Sequence, residues 1–232
     1  MLDLAALFWD SPAMSETGEN TRKKARSWKQ DPEAVRADIL CAARAEFAEH
    51  GLSGARVQDI ADRIQTSKRM IFYYFGDKEG LYRAVLDEAY RSVRKAEAEL
   101  ELDGLPPEEA LRKLVEFTFD HHRANADFIR LVMIENIHGA RHMHEIDSLS
   151  QTNTAAIGQI ERICKAGIDA GLFRADVSPL EIHWQISGMS FFNVANMATF
   201  SVNFGPDLFT DDAQLRLRET VVNSILASVR AT

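Results

Sequence analysis

Residues 56–82 read RVQDIADRIQTSKRMIFYYFGDKEGLY. Val57, Ile60, Ala61 and Ile64 recur at helical spacing and give a short helix one buried face. Gln65-Thr66 breaks that period. Ser67 is placed to cap a second helix, because its hydroxyl can accept from a backbone N–H that has no partner inside the helix. The second helix, KRMIFYYF over 68–75, opens on two cations and continues in aromatic rings. Two short helices across a tight turn form a helix-turn-helix, which lays the start of its second helix in the major groove of DNA. Long cations there, next to rings that lie against sugar and phosphate, suit that placement.

Outward from this stretch the chain is helical. A preceding helix is expected from Asp31 to His50, with Asp31 as cap, Pro32 at the first helical position, Gly51 as stop and Val35, Ile39, Ala42, Ala43 and Phe47 facing a core. A fourth helix should run from Asp77 through Leu81, Val85, Leu86, Ala89 and Val93 to Leu100. Lys78 in its first turn opposes the helix dipole, and a phosphate contact would account for its presence there. Before the first helix, Arg22, Lys23, Lys24, Arg26 and Lys29 form a basic arm of the kind that follows phosphates or enters a minor groove. Residues 1–30 as a whole read as a tail, and either Met1 or Met14 can start the chain. LDGLPP at 102–107 is a linker, which gives a DNA-binding unit over 31–100 and a second helical unit over 101–232. Further helices are expected over Pro107–Asn125, Asp127–His138, Ser148–Ala170, Pro179–Asn203 and Asp211–Ala231, so the fold class is all-α with about nine helices. The Asp127–His138 segment is apolar nearly all round and should be central and buried.

Net charge is −8, which by itself argues against nucleic acid, but its distribution argues the other way. Residues 1–21 carry −4, residues 22–95 carry +5 and residues 96–232 carry −9. A basic block beside an acidic one suggests a DNA-facing module joined to one with a different task. Cys41 and Cys164 lie far apart, with neither a CxxC nor a zinc spacing, and read as reduced thiols. The N-terminus has no basic segment followed by a long apolar one, so no secretory leader is expected. Residues 184–206 lack Asp, Glu, Lys and Arg, yet their asparagines and serines argue against a lipid-facing helix. A cytoplasmic protein without membrane contact is expected. No Gly-rich phosphate loop, nucleophile elbow or HExxH is present, so neither enzymatic activity nor a cofactor is expected.

The residues Val57, Asp59-Ile60-Ala61, Ser67, Ile71, Tyr74-Phe75, Lys78-Glu79 and Leu81-Tyr82, preceded by FAEHG at 47–51, resemble the TetR family of bacterial transcriptional regulators. The resemblance is specific over residues 33–95; beyond them it lies in helical content and in VMIENIHG and GLFRADVSPLEIHWQISG. It implies a homodimer that reads two half-sites of a palindromic operator in double-stranded DNA, a small-molecule effector pocket in the C-terminal unit, and a repressor released when that pocket fills. Four positions depart from the family pattern. Arg56 stands where a capping Thr or Ser is usual, and Gln65-Thr66 replaces the Gly-Val of the turn. Arg69-Met70 replaces a small pair, and Phe72 replaces a Tyr.

For DNA, Lys68 and Arg69 are expected at base edges and Met70 at a thymine methyl. Arg56, Ser67, Tyr73, Tyr74 and Lys78 would hold phosphates. For the effector, polar residues inside apolar helices are the pointers, since burying them without partners is costly. These are His121, His122, Glu135, Asn136 and Asn196, with Trp184, Phe191, Phe192 and Asn193. Each is individually compatible with a structural role. A metal-responsive alternative rests on HGARHMH, in which His138 and His142 have i,i+4 spacing and His144 follows, although Gly139 interrupts the run. The last two helices, rich in small and apolar residues, are the expected dimer surface. Ligand would act by shifting the helices over 107–138 against the fourth helix, changing the spacing of the recognition helices.

Overall fold

The computed structural model describes residues 31–231, with the side chains of 150–153 and 155 excepted. The N-terminal tail and its basic arm lie outside the described residues. Ten α-helices are present among those described: α1 (Pro32–Gly54), α2 (Val57–Arg63), α3 (Lys68–Phe75), α4 (Lys78–Ala98), α5 (Pro107–Ala124), α6 (Ala126–Ile137), α7 (Ser148–Asp169), α8 (Pro179–Ala195), α9 (Met197–Phe204) and α10 (Asp211–Val229).

Local chemistry sets the ends. Asp31 Oδ1 accepts from Ala34 N at 3.0 Å to open α1, and Gly51 breaks its regular course with φ 64. Ser67 Oγ accepts from Met70 N at 3.3 Å and opens α3. Gly76, at φ 79, closes α3, and Asp77 opens α4 by accepting from Gly80 N at 2.6 Å.

Two apolar cores result. The first joins Ile39, Ala43 and Phe47 of α1, Ile60 of α2, Ile71 of α3 and Leu81, Tyr82 and Leu86 of α4. It also takes in Phe128, Ile129 and Leu131 of α6, so both sides of the 102–107 linker share this core. The second joins Leu111, Leu114 and Phe119 of α5 to Ile160 and Cys164 of α7, Ile182 and Ile186 of α8 and Val222 and Ile225 of α10.

Two expectations need correction. The uncharged segment is not one helix: it divides at Asn196, which leaves helical geometry at φ −104, ψ 4. Its backbone N–H bonds Phe192 O at 3.0 Å and its side chain turns back to the same carbonyl at 3.5 Å. An asparagine that engages its own backbone in this way favours a break over continuation. Phe200 then packs on Phe192, Phe204 and Phe209, which turns α9 aside. Nor is α6 buried throughout. Phe128, Ile129 and Leu131 are buried, but the helix end emerges and Ile137 is 78% exposed.

Candidate nucleic-acid interface and ligand cavity

α3 buries Ile71 in the first core and turns its other faces outward. Ser67, Lys68, Arg69, Phe72 and Tyr73 are exposed, Met70 is half-buried, and Tyr73 is 73% exposed. Tyr74 departs from its expected place at a phosphate: its hydroxyl is buried without a hydrogen-bond partner, and its ring packs on Tyr73 and Phe75. Arg56 is exposed at the start of α2, where its side chain caps nothing. The missing neutral cap is replaced from α1, because the buried Glu46 accepts from Arg56 N at 3.1 Å and pairs with Arg63 at 3.4 Å. Lys78 donates to Ser53 O at 3.4 Å, which ties the start of α4 to the end of α1.

Gln65 makes the turn at φ 54, a left-handed conformation that glycine adopts without strain. Downstream, Gly80 is required for closeness: a Cβ there would lie 2.2 Å from Phe75 O. α4 is thereby pressed onto the end of α3 with no side chain between them.

At its other end α4 enters a cavity of about 510 Å³ bounded by α4, α5, α6, α7 and α8. Tyr90, Val93, Arg94 and Glu97 line it from α4, and Phe117, His121 and His122 from α5. Phe128 and Asn136 of α6, and His183, Trp184 and Phe191 of α8, complete the parts used below. Arg94 and Glu97 form an ion pair at 17% and 7% side-chain exposure. Burial raises the Glu97 carboxyl above its ordinary range, opposed by Arg94. Burial pushes His121 down to about 4, and the positive charges of His122, Arg44 and Arg94 push the same way. His122 and His183 are lowered mainly by burial, with Arg94 adding to it. The neutral His122 donates from Nδ1 to Thr118 O at 2.6 Å, leaving Nε2 as its acceptor.

Of the nine residues proposed for the ligand from sequence, His121, His122, Asn136, Trp184 and Phe191 come together in this cavity. Glu135 does not, and Phe192, Asn193 and Asn196 line a separate groove between α8 and α10. Glu135 points to the opposite side of α6, where its oxygens accept from His142 N at 3.1 Å and pair with His142 Nδ1 at 3.0 Å. Tyr82 stacks edge-on against His142 at 5.1 Å and Phe47 against Tyr82 at 5.0 Å, so Glu135 anchors the loop after α6 to the first core. Asn193 is buried in a reciprocal pair with Gln214, at 2.7 and 3.1 Å, which ties α8 to α10. Both carry the signal of a buried polar residue, and both satisfy it within the protein.

The histidine run is arranged differently from its i,i+4 expectation. α6 ends at Ile137, Gly139 and Ala140 take positive φ, and His142 is committed to Glu135. No group of three or more His, Cys, Asp or Glu side chains is gathered for a metal among the described residues. No described helix is long and apolar enough to cross a membrane.

Sequence reasoning missed Tyr90, Arg94, Glu97 and His183 as cavity residues. The first three share a face of α4 with Val93, at i, i+3, i+4 and i+7. A charged pair continuing an apolar stripe was the available signal. His183 lies one residue before Trp184 and gave none.

Residues 39–85 match the model of bacterial regulatory proteins of the tetR family, and residues 107–225 match the tetracyclin repressor-like C-terminal domain. The HTH-type transcriptional repressor NicS of Pseudomonas putida is 35% identical over 185 residues, covering 80% of this chain and 87% of that protein. The HTH-type transcriptional repressor AcnR of Corynebacterium glutamicum is 31% identical over 153 residues, covering 65% and 74%. In fold, a TetR family regulator from Marinobacter aquaeolei superimposes with a TM-score of 0.66 at 20% identity, over 88% of this chain and all of that one. With an exposed cationic α3 on a helix-turn-helix and both family regions in register, the chain belongs to the TetR family of bacterial transcriptional regulators.

Proposed function

We propose that the protein is a repressor which binds an inverted-repeat operator as a homodimer and lets go when a small molecule fills the cavity beside α4. One observation carries this. A single helix, α4, places Lys78 and Gly80 against the DNA-reading unit and, three turns on, Tyr90, Val93, Arg94 and Glu97 in the cavity wall. A rigid element that touches both sites is what a ligand needs to bias one by occupying the other. A ligand that favours the non-binding arrangement by a few kcal/mol empties the operator. Repression is supported by the relatives NicS and AcnR, both named as repressors.

The dimer is supported by α8 and α10. Between them runs an apolar groove of about 660 Å³ whose lining includes Gly188, Met189, Phe192, Leu217 and Val221. Phe192 is 54% exposed and Leu215 52%. Small and aromatic residues on the uncharged part of α8, from Trp184 onward, suit close packing with the same surface of a second copy.

Mobility shift on a selected operator tests the DNA assignment. Arg69→Ala is expected to weaken specific binding about tenfold or more and to affect random DNA much less, as for loss of a base contact worth about 1–3 kcal/mol. Unchanged affinity for both would remove Arg69 from base reading.

A further inference from the structure

The cavity beside α4 presents an uneven set of charges. Arg94, His121, His122 and His183 border it against one carboxylate, Glu97, which is already paired with Arg94. Arg94 works against protonation of all three imidazoles, so the cationic and cationisable groups repel one another as they charge. Arg94 uses Nη1 on Glu97, while its Nε is buried with no hydrogen-bond partner, and His121 Nδ1 is in the same condition. Each such atom carries a desolvation cost that nothing in the protein offsets.

Aromatic rings share the remaining walls with the aliphatic Val93, Val132, Ile157 and Leu180 and the polar Thr118, Asn136 and Ser187. Phe117 packs on His121 at 5.4 Å, Phe128 lies edge-on to Tyr90 at 5.2 Å, and Phe191 and Trp184 close the α8 side. A volume of about 510 Å³ falls in the range of small-molecule sites and holds one or two rings with substituents. A cationic guest would meet Arg94 with no unpaired carboxylate to balance it. An apolar neutral guest would leave the buried nitrogens unbonded. An anion beside Arg94 gains a charge-assisted bond from the guanidinium and offsets part of the cost of a proton on His121.

We infer that the effector is a planar aromatic anion, a carboxylate on one or two rings, seated with its rings among Phe117, Phe128 and Phe191 and its charge toward Arg94 and His121. The inference rests on the assignment of this cavity as the effector site.

Calorimetric titration of the full chain tests it with benzoate, 4-hydroxybenzoate, 2-naphthoate and indole-3-acetate, each beside its carboxamide. At least one carboxylate is expected to bind about tenfold or more tightly than its amide, the difference between a charge-assisted and a neutral hydrogen bond. In the double variant Arg94→Met/Glu97→Met, which removes both members of the pair so that no charge is left buried alone, that preference falls to near parity. His121→Phe keeps the ion pair and weakens the carboxylate several-fold. The comparison on the unmodified protein decides the question even where a variant fails to fold. Equal binding of acids and amides would overturn the inference. So would stabilisation in thermal shift by neutral aliphatic or cationic compounds alone, which would leave the effector site standing. A protein that binds operator and no small molecule of any class would remove both.

Discussion

Gln65 holds the turn between α2 and α3 at φ 54, a conformation that costs an L-residue about 1 kcal/mol or more relative to glycine. Gln65→Gly should therefore raise the unfolding free energy by about 0.5 kcal/mol, after the greater freedom of glycine in the unfolded chain is subtracted. Chemical denaturation measures this, and a loss of stability would mean that the Gln65 side chain holds the turn. The opposite holds at Gly80, where a methyl group would lie 2.2 Å from Phe75 O. Gly80→Ala must push α4 away from α3; we expect a loss of about 1–3 kcal/mol, as for overpacking, and weaker operator binding. Retention of both in that variant would show that α4 and α3 are not rigidly coupled.

At the scale of elements, the helix-turn-helix was legible because each signal is local: the Ser67 cap, the start of the fourth helix at Asp77 and the period of α2 lie within a few residues of what they control. The kink at Asn196 was not, because an Asn inside an apolar run ends a helix only when its side chain turns back on the backbone, here with Phe209 drawing α9 aside. The cavity was half legible. A buried polar residue looks the same in sequence whether its partner is a ligand or a distant side chain, which is why Asn136 and Glu135, adjacent in the chain, belong to different places. Glu135 depends on His142, so His142→Ala, which removes the imidazole from a carboxylate 1% exposed, should cost about 1–3 kcal/mol. An unchanged melting temperature would remove this anchor.

The imidazoles of α5 and α8 give the second unit a pH dependence with a definite sign. Unfolded histidines bind protons below about 6.5, whereas His121 in the fold does so only near 4 and His122 and His183 are lowered as well. The unfolded chain binds more protons in that window, so stability is full above about pH 6.5 and declines as pH falls toward 4. Glu97, whose carboxyl is raised by burial, works in the opposite direction as it takes up its proton. Melting temperatures that rise between pH 6.5 and 4.5 would contradict the neutral, buried state of these rings.

For the whole molecule, the proposed dimer surface uses the exposed Phe192 of α8 and Leu215 of α10, on helices other than α3, the proposed DNA reader. Phe192→Asp, which puts a charge into the apolar groove, should convert a dimer to a monomer in sedimentation at micromolar concentration and abolish cooperative operator binding. Trp184, 75% exposed, borders both this groove and the cavity beside α4, so the proposed dimer surface and the proposed ligand site share a wall. The most direct test of the central claim is selection of sites from random duplex DNA by the intact protein, followed by footprinting. An inverted repeat should be enriched, with both halves protected and the enrichment lost in the Lys68→Ala/Arg69→Ala variant. No enriched sequence, or the same enrichment with that variant, would contradict it.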